Sequence, residues 1–162
     1  MRSELRARTA EDTRAVGAAI AGLLHPGDVV ALGGELGAGK TTLVHGAAAA
    51  LGVRRRVLSP TFTLIKEYGG QIPIRHLDVY RLRRIQDVLD LGFEEMIDSG
   101  AVVFIEWGDA IEALLPEDHL EVELAAIGDT DERRIAVEAL GPGWSERWER
   151  LEALLEPFGA QA

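Results

Sequence analysis

The chain contains no cysteine. Disulfides, thiolate metal sites and a cysteine nucleophile are therefore excluded, and the composition fits a reducing cytoplasm. No apolar run approaches the roughly 18 residues that a membrane span needs. The first residues, Met1-Arg2-Ser3-Glu4-Leu5-Arg6, carry charge without the apolar stretch of a secretion signal behind them. A cytoplasmic protein with no membrane segment is expected. Basic residues are scarce, with 17 Lys and Arg against 27 Asp and Glu and a net charge of -10. Such a surface repels a phosphate backbone, which disfavours tight autonomous binding to nucleic acid. The dense basic clusters are Arg54-Arg55-Arg56 and Arg81, Arg83, Arg84. They read as a solvated helix end and a solvated loop, or else as contacts to phosphates or to an acidic partner. Repeats, low-complexity tracts and linkers are also missing, so the 162 residues are expected to form one domain over 1–162. A chain of that length buries about two-thirds of its unfolded surface and needs no staples.

What the chain does have is a run of glycines in a telling place. Gly34-Glu35-Leu36-Gly37-Ala38-Gly39-Lys40-Thr41 matches the phosphate-loop pattern G-x-x-x-x-G-K-S/T. It lies between the apolar run Val29-Val30-Ala31-Leu32 and the helix-like stretch Thr42 to Leu51, which is the context the motif requires. Glycines let successive backbone N–H groups turn inward around phosphate oxygens, and the following helix adds its positive end. Lys40 can then reach the β- and γ-phosphates of a nucleoside triphosphate, and the Thr41 hydroxyl is a natural ligand for its magnesium.

Helical spacing follows Glu11-Asp12-Thr13, with Val16, Ala19, Ile20, Leu23 and Leu24 on one face and a stop at His25-Pro26-Gly27. Asp28 to Gly33 reads as a buried strand, and Thr41 to Leu51 as an Ala-rich helix ended by Gly52. Thr61 to Tyr68 and Gln71 to Tyr80 are β-rich runs joined at Gly69-Gly70, the dipeptide of a tight hairpin. Short helices over Ile85 to Leu91 and Phe93 to Ile97, split by Gly92, lead to the apolar strand Ala101 to Ile105. His119 to Ile127 and Arg134 to Leu140 alternate around Gly128-Asp129-Thr130-Asp131 as a second hairpin, and an amphipathic helix covers about Ser145 to Leu155. Together these predict a three-layer α/β domain of the P-loop NTPase type, with a mixed central sheet that includes antiparallel strands.

A phosphate loop needs acidic help at the carboxyl end of a neighbouring strand. Glu106 ends Val102-Val103-Phe104-Ile105, and Asp78 ends Ile72-Pro73-Ile74-Arg75-His76-Leu77. Either could bind magnesium, directly or through water, or orient the attacking water. Thr61, held by Pro60 in Ser59-Pro60-Thr61-Phe62, lies where a γ-phosphate-sensing segment often lies, although a plain turn into a strand fits the pattern as well. His76 is read as structural and not as a catalytic base. Trp107 is read as core filling.

Gly34 to Thr42, Ser59-Pro60-Thr61-Phe62, His76-Leu77-Asp78-Val79-Tyr80-Arg81-Leu82 and Ile105-Glu106-Trp107, in this order, resemble the TsaE (YjeE) family of bacterial P-loop ATPases. The resemblance extends over nearly the whole chain. It implies an ATP-binding and hydrolysing component of the machinery that makes threonylcarbamoyladenosine at tRNA position 37. That component works with TsaB and TsaD proteins and meets tRNA only through the complex. Cofactors implied are ATP and Mg2+. Lys40, Asp78 and Glu106 would be the catalytic residues, with Thr41 and Glu106 on the metal. Nucleotide contacts would come from Glu35, Leu36, Gly37, Ala38, Gly39, Lys40, Thr41 and Thr42, with Thr13 and the Arg133-Arg134 pair near the base and Thr61 near the γ-phosphate. Gly34-Glu35 departs from the commoner Gly-Asp at the loop start but keeps the carboxylate.

No arginine within the motif is an obvious finger in cis, so turnover by the chain alone is expected to be slow and completed by the partners. Two other readings of the residues stay open. A small-molecule kinase would need an acceptor pocket and an arginine-rich lid, for which Arg81 to Arg84 is the candidate. A nucleotide-gated binding module would use ATP only to switch the shape of the Ser59 to Tyr68 region.

Overall fold

The computed structural model describes residues 1–54, 65–78, 84–106 and 109–160. Among these, seven strands form one sheet in the order β1-β7-β6-β2-β5-β4-β3. The strands are β1 (Arg2–Ala7), β2 (Val29–Gly33), β3 (Ile65–Tyr68), β4 (Ile74–Asp78), β5 (Val102–Glu106), β6 (His119–Ala126) and β7 (Arg133–Leu140). The helices are α1 (Ala10–Ala21), α2 (Lys40–Ala50), α3 (Ile85–Asp90), α4 (Phe93–Asp98) and α5 (Pro142–Leu155). Strands β6, β2, β5 and β4 run parallel, while β1, β7 and β3 are antiparallel to their neighbours. The expected mixed sheet is what the chain forms.

Alternation along the central strands separates two cores. Val30, Leu32, Val102, Phe104 and Ile74 meet α1, α2 and α5 on one face, and Val29, Ala31, Val103, Ile105 and Leu77 meet α3 and α4 on the other. Helix α1 starts one residue earlier than the spacing alone suggests. Thr9 is its cap, accepting from Asp12 N at 3.1 Å, while the Asp12 carboxylate accepts from Arg8 N at 3.0 Å, a near-reciprocal box. Helices α1 and α2 cross through bare backbone: a Cβ on Gly17 would run into the Leu43 carbonyl, and one on Gly46 into that of Arg14.

Three elements differ from expectation. Strand β1 escapes sequence reading because Arg2, Glu4 and Arg6 stand out to solvent while Leu5 and Ala7 alone face the core. The β3–β4 connection is no two-residue turn: pairing ends at Tyr68 and Ile74, and the segment between them is drawn to α2, where Gln71 N donates to Leu51 O at 2.6 Å. Helix α5 begins at Pro142 and not near Ser145, because Asp118 Oδ1 accepts from Gly143 N at 2.9 Å, a cap supplied from 25 residues away. Its Trp144, Trp148, Leu151 and Leu155 pack into the α1–α2 core. Among the described residues no helix is long and apolar enough to cross a membrane.

Candidate functional site

The glycine-rich loop leaves the carboxyl end of β2, the strand flanked by β5 and β6. At this position in an open α/β sheet, neighbouring strand ends and loops converge. Gly34 takes φ +138, and a Cβ there would lie 2.5 Å from Leu124 O and 2.9 Å from the Ala38 methyl. Gly37 and Gly39 follow at φ +81 and +106, so the chain doubles back in conformations that L side chains resist. Gly39 caps α2 with no side-chain hydrogen bond, and Leu43 N is the first to bond back to it, at 2.9 Å. The amino end of α2 therefore presents backbone N–H groups of Lys40, Thr41 and Thr42 without intrahelical partners.

Lys40 crosses the mouth of the loop, with Nζ donating to Gly34 O at 2.7 Å. Glu35 and Leu36 form the outer lip, and Leu36 is wholly exposed. Thr41 and Thr42 are half-buried in the first turn of α2.

Register brings the two acids to the same edge. Leu32 of β2 pairs with Glu106 of β5, and Glu106 with Asp78 of β4. Alternation turns both carboxylates to the face that carries α2. They are 8% and 6% exposed for Asp78 and Glu106, so neither is a solvated strand-end acid. His76, fully buried on the same face, places Nε2 3.6 Å from Glu106 Oε1.

From the opposite side β7 delivers Arg133. Its Nη2 donates to Gly37 O at 3.1 Å, and its Nη1 to Thr130 O and Glu132 O, both at 2.8 Å. The adjacent Arg134 is exposed and lines a cleft with Arg2, Glu4 and Glu123 on the other face of the sheet. Of the pair, only Arg133 touches the loop among the described contacts. Thr13 is buried on α1, its hydroxyl 3.5 Å from Thr9 O in its own helix. Thr61, the rest of Ser59-Pro60-Thr61-Phe62, Tyr80 to Arg83 and Trp107 lie outside the described residues.

Sequence reasoning did not single out the part played by the β6–β7 turn. Thr130 Oγ1 donates to Ile127 O at 2.6 Å and accepts from Glu132 N at 3.1 Å, shaping the turn whose carbonyls hold Arg133. Threonine amid Gly128-Asp129 and Asp131 is the available signal, since its hydroxyl suits such local bonds.

Among the described residues no three His, Asp or Glu side chains gather to hold an ion unaided. Magnesium does not require that: it is held by one or two protein ligands together with substrate phosphates and water. A threonine hydroxyl and one buried carboxylate beside an open helix amino end fit that donor set.

Known proteins share this arrangement of sequence and fold. A family model described as threonylcarbamoyl adenosine biosynthesis protein TsaE matches residues 7–135. The tRNA threonylcarbamoyladenosine biosynthesis protein TsaE of Bacillus subtilis is 43% identical over 142 residues, covering 87% of this chain and 88% of that protein. The protein of the same description from Treponema pallidum is 41% identical over 122 residues, covering 75% and 90%. The crystal structure of Bacillus subtilis YdiB superposes with a TM-score of 0.80 at 37% identity, over 94% of this chain and 95% of that one. The chain belongs to the TsaE family, and its place is in tRNA threonylcarbamoyladenosine biosynthesis.

Proposed function

We propose that this chain is a magnesium-dependent ATPase of the tRNA threonylcarbamoyladenosine machinery, acting with TsaB and TsaD proteins and reaching tRNA through them. One observation carries the reading: a glycine-built loop opens into an uncapped helix beside Lys40, on the same sheet edge as two buried, register-paired carboxylates, Asp78 and Glu106.

The residues divide the work by charge. Backbone N–H groups of the loop and of the first turn of α2 bind phosphate oxygens, reinforced by the helix dipole. Lys40 exchanges its bond to Gly34 O for the β- and γ-oxygens and neutralises charge there. Thr41 and Glu106 would hold magnesium, which when bound would supply positive charge against the charge developing on the phosphate oxygens. Asp78, next to Glu106, orients the attacking water. Arg133 braces the loop tip through Gly37 and reaches the nucleotide from the β7 side. Catalysis in such a site is mostly positioning and charge stabilisation.

An acidic chain suits a component that gates a partner complex, since it need not grip RNA itself. The test is phosphate release from ATP by the chain alone and with added TsaB and TsaD proteins, using Lys40→Ala as blank. Slow turnover alone, stimulation by the partners and none in the blank are expected. Turnover retained by Lys40→Ala would sink the assignment, and a phosphorylated acceptor in place of free phosphate would mark a kinase.

A further inference from the structure

His76 is fully buried in β4, and neither of its ring nitrogens has a hydrogen-bond partner among the described residues. An imidazole in that state is unfavourable, and a leucine would fill much the same space without the penalty. The residue type therefore calls for a polar task.

The ring stands close to Glu106, with Nε2 to Oε1 at 3.6 Å, just beyond hydrogen-bonding range. Register accounts for the approach. His76 pairs with Phe104 and Asp78 with Glu106, so Glu106 is the diagonal neighbour of His76 on the same face of adjacent strands. The Glu106 carboxylate leans back along the sheet toward the ring, and a small side-chain rotation closes the remaining gap. A glutamate has three rotatable bonds and loses freedom when it ligates a cation. Anchoring one oxygen beforehand removes much of that loss.

Resting on the magnesium-ATPase reading above, we propose that His76 is a positioning residue. Its Nε2–H fixes Oε1 of Glu106 and so sets how the other carboxylate oxygen is presented to the cation. Partners behind a metal ligand typically change metal affinity by about 10- to 100-fold. His76 acts on the requirement for magnesium and leaves the loop's hold on the nucleotide itself intact.

The experiment is calorimetric binding of a non-hydrolysable ATP analogue across a magnesium series, in wild type, His76→Leu and His76→Gln. Leucine fills the volume without a donor, and glutamine returns an N–H near the position of Nε2. Expected is a magnesium requirement about tenfold higher in His76→Leu, unchanged affinity for the metal-free analogue, and recovery of most of the difference in His76→Gln. An equal requirement in wild type and His76→Leu overturns the role of His76 alone. Nucleotide binding that ignores magnesium in wild type overturns the metal reading and this role with it. If His76→Leu does not fold, nitrogen NMR of wild type decides: an Nε2–H tautomer with a downfield, protected proton supports the assignment, and an Nδ1–H tautomer overturns it.

Discussion

Arg133 Nη2 donates to the carbonyl of Gly37 at 3.1 Å, tying the first residue of β7 to the tip of the glycine-rich loop. Two more carbonyls, of Thr130 and Glu132, hold the same guanidinium. Along a strand neighbouring side chains point to opposite faces, so Arg134 is turned toward Arg2 and Glu123 instead. Sequence alone does not tell the two adjacent arginines apart, whereas the pleat sets Arg133 against the loop.

Arg133→Ala is accordingly expected to weaken ATP binding by roughly tenfold or more, the scale of a hydrogen bond to a charged group. Arg134→Ala should stay within about twofold. Titration calorimetry on the two variants checks the assignment, and the reverse order of losses would refute it.

The paired acids separate binding from turnover. Glu106→Gln and Asp78→Asn keep size and hydrogen bonding but remove charge, so ATP should still bind while phosphate release falls about 100-fold or more. With Glu106→Gln, association with TsaB and TsaD proteins in the presence of a non-hydrolysable analogue distinguishes an engine from a switch. Association that survives while tRNA modification stops would assign the work to hydrolysis. Modification that continues would mean that ATP only gates.

Most of this edge was legible because its logic is local. A strand, three glycines and a Lys-Thr pair lie within one short segment, and two strand-like runs each end in an acid. What sequence could not supply is long-range. The α5 cap comes from Asp118, the loop brace from β7, and the Leu124 carbonyl forbids a side chain at Gly34. Strand β1 was missed because charged residues alternate with only two buried ones, a pattern whose meaning appears once β7 lies beside it. The Gly69-Gly70 pair misled because its backbone is spent on contact with the end of α2, where a Cβ on Gly70 would lie 2.7 Å from Leu51 O.

The α1–α2 crossing gives a stability prediction independent of chemistry. Gly46→Ala would drive a methyl into the Arg14 backbone carbonyl, and neither helix can yield without moving the loop that α2 carries. Overpacking of this kind costs about 1–3 kcal/mol, with more where backbone must shift. Thermal unfolding should fall by several degrees. By contrast, Gly37→Ala meets nothing within 4 Å and should cost only the strain of its φ of +81, on the order of 1 kcal/mol.

The buried pair of Arg147 with Asp28 should behave differently from any site residue. Arg147 Nη1 donates to Asp28 Oδ2 at 2.6 Å and to Leu23 O at 2.7 Å, and the guanidinium lies 3.7 Å from the centre of the Trp144 ring. It thereby joins α5 to the turn before β2, at the end of that strand remote from the loop. Arg147→Met leaves the Asp28 carboxylate buried with the His25 N–H as its remaining described donor, at 2.6 Å. Losing one partner of such a pair costs about 3–5 kcal/mol, which in a chain of this size lowers the melting temperature by roughly 10 °C. Adding Asp28→Leu should recover part of the loss, because an apolar pair carries no stranded charge. Below the melting range both variants should bind ATP as wild type does. A selective loss of binding without loss of stability would show that α5 acts on the loop and does more than brace the sheet.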